Sequence, residues 1–243
     1  LAPELVRIAD EAGLPQGLLQ VVQGRGADIG AGLVAHPEVA MISFTGGTAT
    51  GRAIARVAAE RLIPVALELG GKSPHVVFSD ADRTQAVAAV VAGIFGSAGQ
   101  SCVAGSRVFI ERPIYEEVLA AIVVRTRALK VARPDTPGVE VGPLASFHHR
   151  DRVARFVDRA RDEGGRILCG GHAPEGPEFA DGAYYLPTVI DGLAPTAASC
   201  QEEAFGPVAV LSSFSSFDAA LETVNASKFG LQAGVFTRDI HRA

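Results

Sequence analysis

The sequence predicts an α/β fold with a mostly parallel sheet, and three observations carry that prediction. Strand-like runs such as Val39 to Phe44 and Pro64 to Leu69 are almost continuously apolar instead of alternating, the pattern of strands covered on both faces. Helix-like stretches with an apolar stripe separate them, as parallel crossovers require. Glycine-rich turns follow the strands, at the carboxyl ends where ligands bind in sheets of this kind.

Taken in order, Pro3 to Ala12 carries Leu5, Val6, Ile8 and Ala9 and stops at Gly13 before Pro15, which predicts a helix. Leu18 to Val22, closed by Gly24-Arg25-Gly26, predicts a short buried strand and its turn. Ala31 to Ala35 is a short helix, Val39 to Phe44 a strand ending at Thr45-Gly46-Gly47-Thr48, Thr50 to Leu62 a helix and Pro64 to Leu69 a third strand. After Gly71 the pattern starts again. His75 to Phe78 is a strand, Ser79 or Asp80 caps a helix running through Gly93 and Phe95, and a cysteine loop leads into the strand Arg107 to Ile110. A helix from Pro113 to Val131, a Pro/Gly-rich connection and a helix from Phe147 to Glu163 come next. Strands at Arg166 to Cys169, Tyr184 to Ile190 and Val208 to Phe214, a helix from Phe217 to Ala226 and a strand from Leu231 to Thr237 complete the series. The division expected from this pattern is one domain over residues 1–69 and a second over 70–243.

Composition narrows the class. With 48% hydrophobic and 20% charged residues the chain is an ordinary globular protein, and a net charge of −5 argues against a nucleic-acid surface. Charges or glycines break every apolar run before the roughly 18 residues of a membrane span. Leu1-Ala2-Pro3-Glu4-Leu5 lacks the basic start of a signal peptide and there is no initiator methionine, so a cytoplasmic protein whose two ends look cut is expected. Cys102, Cys169 and Cys200 share no zinc or dithiol spacing, which fits a reducing compartment and predicts no metal site. His148 and His149 point apart on a helix and read as surface residues. Asn225-Ala226-Ser227 matches a glycosylation sequon but has no secretion signal beside it.

Two stretches carry chemistry. In Gly99-Gln100-Ser101-Cys102-Val103-Ala104-Gly105, a cysteine stands among small and polar residues between a helix and a strand, which exposes its sulfur; a lone loop cysteine also has a purely structural reading. In Leu67-Glu68-Leu69-Gly70-Gly71-Lys72, a carboxylate interrupts an apolar strand, where it is expected to be desolvated and so suited to take a proton. Glu68 can equally be a structural acid paired with Lys72 or Arg107. The turn Gly46-Gly47-Thr48-Ala49-Thr50-Gly51 allows a close backbone approach, and the free amides of the helix after it favour a phosphate, although a tight turn without a ligand explains the same residues. It is not a Walker loop, and Ala66 stands where that loop's first glycine would precede Gly71-Lys72-Ser73.

Together Phe44-Thr45-Gly46-Gly47-Thr48-Ala49-Thr50-Gly51, Leu67-Glu68-Leu69-Gly70-Gly71-Lys72, Gly99-Gln100-Ser101-Cys102 and Glu202-Glu203-Ala204-Phe205-Gly206-Pro207 resemble, in that order, signatures of the NAD(P)-dependent aldehyde dehydrogenase superfamily. Phe229 to Thr237 is similar to a fifth block. The resemblance spans the chain, yet the chain is only about half of a family member. It implies an aldehyde dehydrogenase-like fold, with part of a Rossmann-type cofactor domain followed by an α/β catalytic domain, and oxidation of an aldehyde to a carboxylic acid. Cys102 is then the nucleophile and Glu68 the base that activates water. Gly46, Gly47 and Gly51 lie near the pyrophosphate of NAD or NADP and Gly26 near the adenine side. Leu69 supplies a carbonyl to the nicotinamide amide, Glu203 holds the nicotinamide ribose and Phe205 packs beside the ring. Taken alone, Glu203 reads as a surface acid and Phe205 as core.

The expected partner is a small-molecule aldehyde, with no nucleic acid and no membrane. The resemblance implies a homo-oligomer, a dimer or tetramer, for the intact enzyme. One departure stands out, since Gly47 occupies the place of a family serine and removes one hydroxyl contact to phosphate. The asparagine that completes the oxyanion hole and the lysine that holds the adenosine ribose are expected upstream of Leu1, and the association segments beyond Ala243. The alternatives are an inactive fragment or nucleotide-binding remnant, a cysteine thioesterase, and a CoA-acylating relative.

Overall fold

A computed structural model describes residues 1–243, and the chain divides into two compact units, Leu1–Leu69 and Gly70–Ala243. In the first unit, α1 (Ala2–Glu11) begins with a proline in its first turn, ends before Gly13 at φ 90° and buries none of its residues. A π-helical turn over Gly26–Gly30 runs into α2 (Ala31–Ala35). β1 (Ile42–Gly46), α3 (Thr48–Glu60) and β2 (Val65–Leu69) form a strand–helix–strand crossover unit with β1 and β2 parallel, Ile42 opposite Val65 and Gly46 opposite Leu69. Ile42, Ile54 and Ala58 are its buried core, with Val34, Phe44 and Val65 packed around them.

Three expectations fail in this unit. Leu18 to Val22 forms no strand and is largely exposed, joining neither edge of the β1–β2 pair. β1 starts at Ile42 instead of Val39, since the register that sets Ile42 opposite Val65 leaves Val39 opposite Leu62, in left-handed backbone before β2, and the Val39 carbonyl accepts from the Arg61 guanidinium instead. Nor is β2 covered on both faces: its burial alternates, with Ala66 and Glu68 exposed, because α3 covers one face.

The second unit is built on a six-stranded sheet. Its elements are β3 (Pro74–Val77), α4 (Arg83–Phe95), β4 (Arg107–Glu111), α5 (Tyr115–Arg127), α6 (Phe147–Asp162), β5 (Arg166–Cys169), β6 (Thr188–Asp191), α7 (Ala198–Gln201), β7 (Val208–Phe214), α8 (Phe217–Asn225) and β8 (Gly234–Phe236). The strand order is β5-β6-β7-β4-β3-β8, all pairs parallel except β5 with β6. One face packs Val77, Ile110, Ile190 and Leu211 beneath Val90, Ile94 and Ile122 of α4 and α5. The other face carries Val76, Phe78, Phe109 and Phe214 against Ala220 of α8. A sheet buried on both sides is the reason its strands read as continuous apolar runs.

Boundaries shift for local reasons. Asp82 caps α4 by accepting from the Gln85 amide, while Asp80, one of the two expected caps, accepts from Thr237 Oγ1 and the Arg238 amide and fastens the chain after β8. α5 follows a 3₁₀ turn over Arg112–Ile114 and ends at Arg127, short of the expected Val131. β6 begins only at Thr188, directly after Pro187, which has no amide to give a ladder. No helix is long and apolar enough to cross a membrane.

Candidate active site

In the first unit the candidate residues gather where β1 and β2 end. Gly46 closes β1 opposite Leu69, and Gly47 is the N-cap of α3, in extended backbone with no side-chain cap, so the first amides of α3 have no side-chain partner. Space around Gly47 is open, whereas a Cβ on Gly51 would overlap the Leu69 side chain. Gly51 is therefore explained by helix-to-strand packing, and Gly47 is the position that leaves room for a ligand. Glu68 is exposed, contrary to the desolvation expected from its apolar strand: it lies on the β2 face that α3 does not cover. Gly26, also exposed, opens the π-helical turn before α2.

Cys102 belongs to the second unit. The apolar helix α4 ends in a 3₁₀ turn, Gly96–Gly99, in which Ser97, Ala98 and Gly99 all take left-handed backbone, at φ 52°, 54° and 69°. Two of the three are not glycine, and each such residue costs on the order of 1 kcal/mol unless its surroundings fix it. The surroundings do. A Cβ on Gly99 would overlap the Gly206 carbonyl, so the turn packs directly against the backbone of the Glu202-to-Pro207 segment. The Gln100 amide oxygen accepts from the Ala145 amide at 2.8 Å, and the Ser101 carbonyl accepts from Ala104 at 3.1 Å. Cys102 is held half-buried.

The segment that carries Glu203 and Phe205 meets the same loop through Gly206. The Gly71 amide donates to Glu203 Oε1 at 3.0 Å, and a Cβ on Gly70 would overlap that carboxylate. Burial pushes the Glu203 carboxyl up from its ordinary value, opposed by the Gly71 hydrogen bond and the Lys72 cation. Phe205 sits at φ 49° with its ring partly exposed, and its carbonyl accepts from His149 Nε2 at 2.6 Å, which fixes the Nε2–H tautomer of that histidine. Lys72 is buried with its ammonium 5.0 Å from the Phe156 ring centre, and desolvation pushes it down to about 8. The Arg107 guanidinium donates to the carbonyls of Lys72, Thr223 and Val224, which leaves main chain as its hydrogen-bond partner.

The structure thus brings Cys102, Glu203 and Phe205 together in one unit, and Gly46, Gly47, Gly51 and Leu69 together in the other. Sequence reading missed two contacts beside the candidate residues. His149 is buried, not a surface residue; it shares the helical stripe of Val153, Phe156, Val157 and Ala160 on α6, and that spacing was the available signal. Gly71 was read as part of a motif, and nothing in the sequence shows that its amide meets a residue 132 positions away.

The model of the aldehyde dehydrogenase family matches residues 1–243. The chain belongs to that family. It is similar to betaine aldehyde dehydrogenase of Cereibacter sphaeroides, 45% identical over 242 residues, covering 100% of this chain and 49% of the relative. Human 4-trimethylaminobutyraldehyde dehydrogenase is 43% identical over 241 residues, with 98% and 49% covered. Among solved structures, HpcC from Thermus thermophilus superposes with a TM-score of 0.96 at 44% identity, over 100% of this chain and 48% of its own. Betaine aldehyde dehydrogenase from Staphylococcus aureus in complex with NAD+ gives 0.95 at 35%, over 99% and 48%. The fold is that of aldehyde dehydrogenases, and the chain spans about half the length of the curated relatives it matches.

Proposed function

We propose that the protein containing this chain oxidises an aldehyde to a carboxylic acid with NAD+ or NADP+, using Cys102 as nucleophile and Glu68 as base. The observation that carries the reading is Cys102 itself, in a chain of this family: a half-buried thiol just after a left-handed turn, beside a segment that contributes a carboxylate and an aromatic ring. Each unit, taken by itself, carries groups that suit part of a dinucleotide. Uncapped amides at the start of α3 with open space at Gly47 suit a pyrophosphate beside Gly46 and Gly51, with Gly26 toward the adenine; Glu203 offers a carboxylate to ribose hydroxyls, Leu69 a carbonyl and Phe205 a ring face. When bound, the nicotinamide supplies the acceptor for the hydride that leaves the substrate carbon.

The protein's own part runs as follows. The Cys102 thiolate adds to the aldehyde carbonyl carbon, and the backbone amide at Cys102 offers a donor to the oxyanion. Oxidation leaves the acyl group on sulfur as a thioester. Glu68 takes a proton from water as the oxygen attacks the acyl carbon; the C–S bond breaks with its electron pair on sulfur, the acid departs, and release of the proton from Glu68 to solvent restores the carboxylate and the thiolate. Names of the relatives make betaine aldehyde and 4-trimethylaminobutyraldehyde the first substrates to assay. The assembled enzyme is proposed as a cytoplasmic homo-oligomer.

Cys102→Ala in the complete enzyme should abolish aldehyde-dependent reduction of the cofactor, and retained turnover would sink the assignment. Glu68→Gln should keep a first-turnover burst and slow the steady state by about 10²-fold or more. A second reading, a nucleotide-binding remnant without turnover, is favoured by the exposure of Glu68 in this chain. Binding of NAD+ by the 243-residue chain without any acyl-enzyme burst would support it.

A further inference from the structure

Two motifs far apart in sequence meet on one backbone amide. On one side of Gly71, its N–H donates to Glu203 Oε1 at 3.0 Å. On another, the Cys102 carbonyl oxygen packs so close to its Cα that a Cβ would overlap it. The same acidic segment holds the opposite flank of the cysteine turn, because Gly99 rests on the Gly206 carbonyl. That segment is in turn fixed by His149 at the Phe205 carbonyl. All these contacts lie within the second unit and are made by protein groups alone.

We infer that Glu203 is a positioning residue for the nucleophile: its carboxylate fixes Gly71, and Gly71 fixes the main chain of Cys102. The segment from Glu203 to Gly206 is a brace that grips the cysteine loop on both flanks. This gives Glu203 a task separate from holding a ribose. The inference rests on the reading of Cys102 as nucleophile, and it explains why two glycines must follow the Leu-Glu-Leu strand. Side chains at Gly70 or Gly71 would displace the carboxylate or the cysteine carbonyl.

The test compares two substitutions in the cofactor-free protein. Glu203→Ala removes the acceptor, while Glu203→Gln keeps a carbonyl oxygen for the Gly71 amide and loses only the charge. Hydrogen exchange at Gly71, read by mass spectrometry of peptides spanning it, should speed up about tenfold in the alanine variant and stay near wild type in the glutamine variant. Alkylation of Cys102 by iodoacetamide, followed on its own peptide so that Cys169 and Cys200 do not contribute, should be severalfold faster in the alanine than in the glutamine variant. Because both variants lack the charge, their difference reports the tether. Equal exchange and equal alkylation in the two would overturn the inference. If the alanine variant does not melt cooperatively, Glu203→Leu removes the acceptor while keeping bulk beside Gly70, and the same comparison with glutamine decides. Turnover is not a readout here, so loss of the proposed reaction and loss of the brace are told apart.

Discussion

β2 and β4 are parallel strands of five residues with similar apolar sequences, Val-Ala-Leu-Glu-Leu and Arg-Val-Phe-Ile-Glu, yet they live in different surroundings. β4 lies between β3 and β7 and is buried from Arg107 to Ile110; β2 pairs with β1 alone and is exposed at every second residue. Apolar sequence states that a strand wants cover on both faces. The number of layers available in the chain decides whether it obtains it. Catalytic candidates inherit the difference: Cys102 is gripped by a multilayered unit, and Glu68 stands on a thin one.

The contrast is broken most directly in the two cores. Ile110→Ala, at a site fully removed from solvent, should cost the second unit about 2–5 kcal/mol in urea denaturation. Ile54→Ala, in the three-residue core of the first unit, should fall at or below the low end of that range, because its thin surroundings can relax into the space. Equal losses would show that the first unit is as firmly packed as the second.

A smaller effect concerns charge in the thicker unit. Lys72 is pushed down to about 8 from 10.5 by burial, so between those values the native state holds fewer protons than the unfolded chain and wild-type stability rises with pH. Lys72→Met should therefore compare most favourably with wild type near pH 7. Raising the pH to 10 should shift the balance toward wild type by roughly 1–3 kcal/mol, and a stability difference flat with pH would place the ammonium in water.

The smallest effect sharpens the comparison from the thin side. Gly47 has open space around it and extended backbone at φ −68°, so Gly47→Ser should be accepted without strain and cap α3, for a gain of a few tenths of a kcal/mol. With the proposed phosphate turn, the added hydroxyl should also lower the dissociation constant for NAD+, read by calorimetry.

Where the sheet is complete, the sequence was legible: β5 and β7 stand at their expected bounds, and the four ordered motifs identified the family. Legibility failed where a residue's fate depends on something distant. Leu18 to Val22 has strand composition but joins neither edge of the β1–β2 pair, and Val39 faces Leu62, whose left-handed backbone lies 23 residues on, outside β2. Asp80 looks like a cap until Thr237 is seen to claim it. Around the candidate site, Cys102, Glu203 and Phe205 are singled out by their motifs, whereas the Gly71 hydrogen bond and the His149 contact depend on backbone atoms, which no residue type announces.

The order of strands in the larger sheet has a consequence for how the protein comes into being. β4 has β3 as its sheet partner until β7 is available, and β7 also joins the β5–β6 pair to the rest. During synthesis, roughly a hundred residues separate the end of β4 from the start of β7, an interval on the order of ten seconds at typical elongation rates. Through that time the apolar β3–β4 pair waits with open edges beside the ribosome, joined by the β5–β6 pair only near the end, and the cysteine loop waits with it, since the segment that braces it emerges just before β7. The Cys102 loop is thus braced late, by the stretch of chain that leads into the central strand β7 and before α8 and β8 emerge, and demand for chaperone protection should peak in that window.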